Sequence, residues 1–325
     1  MNADETRALP RSGLTVSALG LGCSQLGGLY RPMSGADAEA LVDAAWAAGL
    51  RYFDTAPYYG YTLSERRTGT ALARRPRDAF TLSTKVGRLM RADPSVRAGD
   101  DGWAEPLPFR PVYDYSYDGI MRSHEDSRQR LGLARIDVLY VHDIGRMTHG
   151  DRHAHYWTQL TAGGGFRALD ELRSGGEIGA FGLGVNEWGS GRRRAERKRR
   201  STRCCWPAAT RCSSRRALEP LLDACSRVGT AVVIGGVFNS GVLAGNGKFN
   251  YADASADVID RVARLAALWR AFRRAASGPP RCSFRSAIRP RSRAWLGGQL
   301  CEIAVESTLF GCTVPLLWWS ASRLR

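Results

Sequence analysis

Four residues that can transfer or orient protons lie at or just after the ends of three consecutive predicted strands: Asp54, Tyr59, Lys85 and His142. A lysine buried beside an aspartate forms an ion pair, and a tyrosine next to that lysine has its phenolate favoured. The pKa of Tyr59 is therefore expected to fall from about 10 toward working pH. Such a tyrosine can give and take a proton at a carbonyl or hydroxyl oxygen, which a nearby histidine can hydrogen-bond. These residues predict a proton-transfer site.

This site requires strands whose carboxyl ends lie side by side. Apolar or β-branched runs predict strands over about 17–23, 51–55, 79–85, 136–142, 180–185 and 231–235. Helical patterns predict helices over about 36–48, 64–74, 118–131, 166–174 and 217–228, with a further apolar helix face over 258–272. Ser34 with Asp37 has the spacing of a capping box, and Ser64 is predicted to cap the second helix. Alternating strands and helices imply a parallel sheet with crossover helices.

Two α/β architectures fit this alternation, a doubly wound sheet and a closed (β/α)8 TIM barrel. A doubly wound dinucleotide-binding sheet would carry G-x-G-x-x-G after its first strand. Here Gly20 and Gly22 are followed by Cys23, Ser24 and Gln25, so the third glycine is missing. About eight strand–helix units in 325 residues fit the barrel better. We predict a single barrel domain over 1–325.

Four motifs surround the candidate residues: D-T-A-P-Y-Y-G at 54–60, S-T-K-V at 83–86, V-H-D at 141–143 and G-V-N at 184–186. Over about 13–187 and again over about 217–268, the chain resembles the aldo-keto reductases. The resemblance implies a (β/α)8 barrel that binds NAD or NADP. It implies that Tyr59 is the proton donor or acceptor and that Lys85 and Asp54 tune it. It also implies that His142 orients the substrate oxygen and that Asn186 holds the nicotinamide carboxamide.

Longer stretches are similar to the branch of that family that contains the dehydrogenases of D-threo-aldoses, L-fucose and pyridoxal. They are 114–119, 141–145, 184–188 and 233–241. This likeness implies a small sugar or aldehyde substrate and oxidation of an aldose at C1 to a lactone. Phe238 would stack on the nicotinamide, with a core position as its alternative. Asn239, Ser240, Gly241 and Leu243 would meet the pyrophosphate. The implied cofactor-binding residues are Gly22, Asn186, Phe238, Asn239, Ser240, Gly241 and Leu243.

The net charge of +16 is concentrated in two segments. Residues 189–216 contain 11 basic residues and 1 acidic one, and residues 270–325 contain 10 basic and 2 acidic ones. The sixth and eighth strands should lie in these segments, yet the candidates there are poor. The run 204–209 is interrupted by Pro207, and the run 283–289 would place Arg285 and Arg289 near the barrel wall. We therefore expect degraded or atypical strands at both positions.

Two explanations of these segments remain open. Frameshifts in a GC-rich gene would account for the excess of arginine and cysteine, and the barrel would then be catalytically impaired or inactive because part of its cofactor site is lost. The segments could instead form a basic arm that binds an acidic partner. Residues 192–200 resemble a nucleic-acid patch, but no interleaved aromatic residues or known binding fold accompany them, so no nucleic acid is expected.

The remaining features predict an ordinary cytoplasmic protein. No run of about 18 apolar residues is present and the first residues are polar, so neither a membrane span nor a secretory signal is expected. The cysteines form no CxxC pair at zinc spacing, and the histidines at 149, 153 and 155 lie in a predicted loop. No metal site is predicted, and the oligomeric state is left open.

Overall fold

The computed structural model describes residues 5–187, 205–207, 225, 229–236, 238–245, 247–249, 252–275 and 302–306. Eight parallel strands pair in chain order, with the last strand beside the first. They are β1 (Leu19–Gly22), β2 (Tyr52–Asp54), β3 (Thr81–Val86), β4 (Val138–His142), β5 (Ala180–Gly184), β6 (Cys205–Pro207), β7 (Ala231–Gly235) and β8 (Glu302–Glu306). Strand β6 also lies beside β5, with Cα atoms within 8 Å. The strands therefore form a ring, which confirms the predicted (β/α)8 barrel.

The helices of the described residues alternate with these strands. They are α1 (Gly35–Ala47), α2 (Leu63–Leu72), α3 (Tyr117–Leu131), α4 (Arg146–His149), α5 (His153–Thr161), α6 (Gly165–Ser174) and α7 (Ala256–Ala275). Short 3-10 turns occupy Cys23–Gly27, Arg77–Ala79, Asp100–Gly102, Gly150–Arg152 and Val242–Ala244. None of the described helices combines the length and apolar character that a membrane crossing needs. Most of the predicted helix 217–228 lies outside the described residues.

The ends of the first two helices test the predicted caps. At α1 the Ser34 cap is confirmed, because its hydroxyl accepts a hydrogen bond from the Asp37 N–H. The Asp37 carboxylate in turn accepts from the Ser34 hydroxyl at 2.7 Å. At α2 the prediction is wrong: Thr62 precedes the helix, and Ser64 lies within its first turn. The Ser64 hydroxyl is buried and donates to the Cys23 carbonyl at 2.6 Å. A serine near a helix start can thus serve a distant segment instead of its own helix, which spacing alone does not reveal.

Three antiparallel hairpins within the described residues extend the barrel. They pair Thr6–Ala8 with Thr15–Ser17, Arg88–Ala92 with Phe109–Tyr113, and Lys248–Phe249 with Ala252–Asp253. The second hairpin, which we call the β3 hairpin, leaves the barrel directly after β3. Its tip reaches the segment after β1, where the Tyr30 N–H donates to the Gly102 carbonyl at 2.8 Å and the Ala104 N–H donates to the Gly28 carbonyl at 2.9 Å. The β3 hairpin therefore lies at the carboxyl ends of the strands.

Strands β6 and β8 occupy the two positions for which the sequence offered poor candidates. Strand β6 falls inside the predicted run 204–209, and Pro207 is its last residue, so its missing N–H comes at the end of the ladder. The eighth strand is Glu302–Glu306, which pairs with β7 and β1. The run 283–289, which we considered for that position, lies outside the described residues.

Alternation along the strands divides the core into two layers. Tyr52 and Tyr140 belong to a cluster with Leu9 and Val16 of the first hairpin, and their hydroxyls are 3.0 Å apart. The neighbouring Phe53 belongs to the larger cluster that includes helix residues. This period of two is the strand geometry that directs alternate side chains to opposite faces of the sheet. Because the strands are parallel, their carboxyl ends lie at one common end of the barrel.

Candidate active site

Lys85 is the centre of the candidate site. It lies on β3, is 6% exposed, and donates from Nζ to Asp54 Oδ2 at 2.5 Å and to the Thr55 carbonyl at 2.8 Å. Its Nζ also lies 4.8 Å from the centroid of the Tyr59 ring. Burial lowers the pKa of Lys85, but Asp54 and Tyr59 outweigh burial and raise it. Lys85 is therefore a permanent cation against the Tyr59 phenol.

Hydroxyl groups of the barrel interior hold Asp54. Ser83 Oγ donates to Asp54 Oδ1 at 2.6 Å, while Oδ2 receives Lys85. Ser83 in turn lies 3.0 Å from the Tyr52 hydroxyl. Both oxygens of the carboxylate are thus occupied by groups on the neighbouring strand β3, which fixes its direction. Asp54 anchors Lys85 and does not itself need to reach a substrate.

His142 ends β4 and faces Tyr59. The two ring centroids are 6.1 Å apart with planes at 88°. Burial lowers the pKa of His142 well below its usual value, and the charges of Arg88 and Lys85 add to this effect. The ring is therefore a neutral imidazole at working pH. Its Nδ1 is buried and has no hydrogen-bond partner among the described residues, so the ring keeps capacity for a polar ligand.

The pKa of Tyr59 differs from the prediction. Burial raises it, and the Lys85 cation lowers it by less. The prediction that the pKa of Tyr59 falls below its ordinary value is therefore wrong. The physical reason is that the loss of hydration destabilises the phenolate by more than one neighbouring cation stabilises it. Lys85 still moves the pKa in the expected direction, toward proton release.

The backbone of Tyr59 is packed against a glycine. A Cβ on Gly27 would lie 2.6 Å from the Tyr59 carbonyl carbon and 2.7 Å from the Gly60 nitrogen. Gly60 itself has a φ of +62°, and a Cβ there would lie 2.3 Å from the Gly27 carbonyl oxygen. No side chain fits between these two backbones, so Gly27 sets the depth at which Tyr59 sits.

Gly27→Ala should therefore lower kcat by about tenfold to a hundredfold, because a displacement near 1 Å at a catalytic group costs about that much. The measurement is steady-state kcat together with the melting temperature. Gly35→Ala is the matched control, since a Cβ at Gly35 meets no described atom within 4 Å. Equal kcat values for the two variants would show that Gly27 does not position Tyr59.

Two charged residues that the sequence reasoning did not select complete the site. Arg88, the first residue of the β3 hairpin, pairs with the carboxylate of Asp143. Asn186 Nδ2 donates to Asp143 Oδ1 at 3.2 Å. Asp143 follows His142 in the V-H-D motif, so its position was visible in the sequence, but its arginine partner lies 55 residues away.

Aromatic rings of the β3 hairpin and the segment after β2 form one wall of the site. The Trp103 ring lies 5.6 Å from Tyr58 and 5.8 Å from Tyr59 between centroids. Asp101 fixes this wall, because it accepts from the Tyr58 hydroxyl at 3.0 Å and from the Tyr61 hydroxyl at 2.6 Å. Nothing in the local pattern of 88–113 predicted this wall, since it depends on the hairpin folding back over the barrel.

The predicted cofactor residues Gly22 and 238–243 lie at the end of β1 and in the loop after β7. Gly22 is the last residue of β1 and pairs with Asp54. Phe238 is partly exposed, Asn239 is buried, and Leu243 is 41% exposed. The left-handed backbone of this turn is at Asn239, Ser240 and Gly241, with φ of 47°, 60° and 94°. The structure thus places the loop after β7 at the carboxyl end of the barrel.

The end of β7 has room for a ligand close to its backbone. A Cβ on Gly235 or on Gly236 would meet no described heavy atom within 4 Å. Successive left-handed residues turn backbone N–H groups into concavities that suit anions. These features fit the pyrophosphate of a dinucleotide.

His149 and His153 make hydrogen bonds within the protein. His149 Nε2 is 3.0 Å from the Tyr115 hydroxyl, and His153 Nδ1 is 3.0 Å from the Ile144 carbonyl. No group of three or more metal-ligating side chains occurs among the described residues.

Comparisons with known proteins agree with this arrangement. The chain is 51% identical over 287 residues to the pyridoxal 4-dehydrogenase of Microbacterium luteolum, covering 82% of this chain and 81% of that protein. It is 37% identical over 281 residues to the D-threo-aldose 1-dehydrogenase of a Pseudomonas species, covering 81% and 80%. The solved structure of a glycerol dehydrogenase from Gluconobacter oxydans covers 94% of this chain and 87% of its own, with a TM-score of 0.64 at 21% identity, and this likeness concerns the fold.

The family model of the aldo/keto reductases matches residues 18–274, which include every candidate catalytic residue and the loop after β7. Two dehydrogenases share about four fifths of their length with the chain. The barrel, the residues at its strand ends and these likenesses together show that the chain belongs to the aldo/keto reductase family, as an NAD(P)-dependent oxidoreductase.

Proposed function

We propose that the enzyme oxidises an aldose of the L-fucose or D-threo type at C1, in its cyclic hemiacetal form, to a lactone. The observation that carries this proposal is the contact of Lys85 with both Tyr59 and Asp54, opposite the neutral ring of His142. A base beside a neutral hydrogen-bonding ring suits removal of a proton from a hydroxyl. The 37% identical relative is named for the same reaction on D-threo-aldoses.

In this mechanism the chain binds and orients the hemiacetal and removes one proton. His142 hydrogen-bonds the C1 oxygen and thereby directs its hydroxyl at Tyr59. The Tyr59 phenolate takes the hydroxyl proton as the C1–H bond breaks, and the C–O bond becomes the lactone carbonyl. Bound NAD(P)⁺ supplies the acceptor for the hydride that leaves C1. Lys85 stabilises the phenolate before transfer, because its ammonium stays charged and lies close to the Tyr59 ring.

The residues of the chain fit such a cofactor. The open space beside Gly235 and Gly236 would take the pyrophosphate, and the partly exposed Phe238 would offer a ring for stacking. Asn186, whose Nδ2 donates to Asp143, would hold the carboxamide. The positive charge of an oxidised nicotinamide near Tyr59 would lower the pKa of the phenol further.

The charge balance of the site favours a neutral substrate. Among the described residues of the site, the two buried cations are each paired with a carboxylate, Lys85 with Asp54 and Arg88 with Asp143. A phosphate group would need a cation free to pair with it. We therefore infer that free sugars are used in preference to sugar phosphates.

Pyridoxal is a second candidate substrate. It carries an aldehyde next to a hydroxymethyl group and closes to a cyclic hemiacetal, so its oxidation is the same chemistry as that of an aldose. Two observations favour it: the 51% identical relative is a pyridoxal 4-dehydrogenase, and the wall of Trp103 and Tyr58 suits stacking of an aromatic ring.

The test measures reduction of NAD⁺ and of NADP⁺ by the purified protein with L-fucose, pyridoxal and a hexose phosphate. We expect turnover with at least one of the first two and a kcat/KM at least about tenfold lower for the phosphate, the cost of about 1.4 kcal/mol in binding. Turnover of the phosphate alone would contradict the proposal. A protein that binds no NAD(P) would instead support the alternative of an impaired barrel.

The basic arm and the cytoplasmic location stay predictions. Most of the two arginine-rich segments lies outside the described residues. Salt-sensitive binding to nucleic acid would favour the arm, because phosphate contacts weaken steeply as salt rises.

A further inference from the structure

We propose that Asp143 is a positioning residue that fixes the side chains of His142 and Asn186 relative to each other. Arg88 holds the Asp143 carboxylate in the position that this requires. The inference rests on the proposed function, in which His142 orients the substrate oxygen and Asn186 holds the carboxamide. One carboxylate would thus couple the placement of the substrate to that of the cofactor.

The contacts of Asp143 support this role. Oδ1 accepts from Asn186 Nδ2 at 3.2 Å, and Oδ2 accepts from Arg88 and lies 3.5 Å from His142 Nε2. The Asp143 N–H donates to the Gly184 carbonyl at 2.7 Å. Asp143 therefore joins the ends of β4 and β5, the two strands that present His142 and Asn186.

The backbone conformation of Asp143 is strained. Its φ is 46°, in the left-handed region that few residues other than glycine occupy. Aspartate tolerates this region better than most residues, but some strain remains. The surrounding contacts hold the carboxylate there, between the two site residues.

Arg88 is built to keep that carboxylate in one place. The arginine is 4% exposed, and its guanidinium carbon lies 4.3 Å from the Tyr58 ring centroid and 5.3 Å from that of Tyr113. A guanidinium between two rings has little freedom to move. Burial raises the pKa of Asp143, while Arg88 and Lys85 counteract it.

A second buried aspartate shows what a purely structural ion pair looks like in this barrel. Asp137 directly precedes β4 and pairs with Arg77 at 2.7 Å and with Arg135 at 3.0 Å. It also accepts from the Leu82 N–H at 2.8 Å. These partners lie at the amino ends of the strands, away from Tyr59. Asp137 and Asp143 thus bracket the same strand with comparable pairs, and the second of them contacts site residues.

The experiment compares Asp143→Asn with Asp137→Asn in the full-length protein. Asparagine keeps the shape of aspartate but accepts on one oxygen only, so Arg88 and Asn186 can no longer both be bound. We expect Asp143→Asn to lower kcat by about tenfold to a hundredfold. We also expect it to weaken NAD(P)⁺ binding, which is measured by the quenching of tryptophan fluorescence. Asp137→Asn should lower the melting temperature and leave kcat within about twofold.

A double variant separates positioning from stability. Arg88→Met with Asp143→Asn removes both charges, so the melting temperature should recover relative to Asp143→Asn alone, while kcat stays low. Recovery of kcat in the double variant, or a change in melting temperature alone in Asp143→Asn, would overturn the inference. If the wild type binds NAD(P)⁺ but turns over none of the tested substrates, the proposed function fails. Unchanged NAD(P)⁺ affinity in Asp143→Asn would then overturn this inference separately.

Discussion

Tyr59→Phe should lower kcat for hemiacetal oxidation by about 10²- to 10⁴-fold, the usual contribution of a positioned general base. The phenylalanine ring keeps the contacts with His142 and Trp103, so only the oxygen that takes the proton is lost. Binding of NAD(P)⁺ should stay within about twofold, because no cofactor-binding residue changes. The measurements are steady-state kcat and a fluorescence titration with NAD(P)⁺.

Tyr117→Phe is the matched control for this substitution. Its hydroxyl donates to Glu171 at 2.5 Å on the helical surface of the barrel, so the variant loses one exposed hydrogen bond and nothing in the site. We expect its kcat to equal that of the wild type. If Tyr59→Phe matched this control in kcat, another group would have to be the base.

Lys85→Met should have the second-largest effect on kcat, and the effect should be visible as a shift in the pH dependence of kcat. Oxidation needs the Tyr59 phenolate, so the rate rises as pH increases through the pKa of that phenol. Burial raises this pKa and Lys85 lowers it. Removing the cation therefore raises the pKa, shifts the rising limb of the profile to higher pH, and lowers kcat at neutral pH.

The same substitution should also destabilise the fold. Asp54 would remain buried without its partner, and an orphaned member of a buried ion pair costs about 3–5 kcal/mol. Adding Asp54→Asn to Lys85→Met should recover part of the melting temperature, because no unpaired charge remains, but should not recover the pH profile. A profile that does not move in Lys85→Met would contradict the role of Lys85 in tuning Tyr59.

Much of the site followed from short-range patterns. The strand predictions end at or within one residue of the observed carboxyl ends of β1 to β5 and of β7, because a run of apolar or β-branched residues ends where polar residues begin. Parallel strands then force those ends to one face of the barrel. The proximity of Asp54, Lys85 and His142 needed no further information. Tyr59 follows β2 by five residues and falls at the same face.

Other features depend on residues that are distant in the chain. Arg88 meets Asp143 only because the β3 hairpin begins beside the end of β4. Trp103 reaches the rings of Tyr58 and Tyr59 only after that hairpin folds back onto the segment after β1. Such contacts leave no local period or motif, so pattern analysis does not detect them.

The sequence by itself predicted the barrel, six of its eight strand ends and the candidate proton-handling residues, because hydrophobic periodicity and short motifs are local properties. Only the tertiary structure decided which charges are paired and the sign of the shift in the pKa of Tyr59. That sign is the balance between desolvation and one cation, and desolvation is set by everything packed around the phenol. A motif can identify the lysine that lies beside a tyrosine, but the burial of that tyrosine depends on the whole fold.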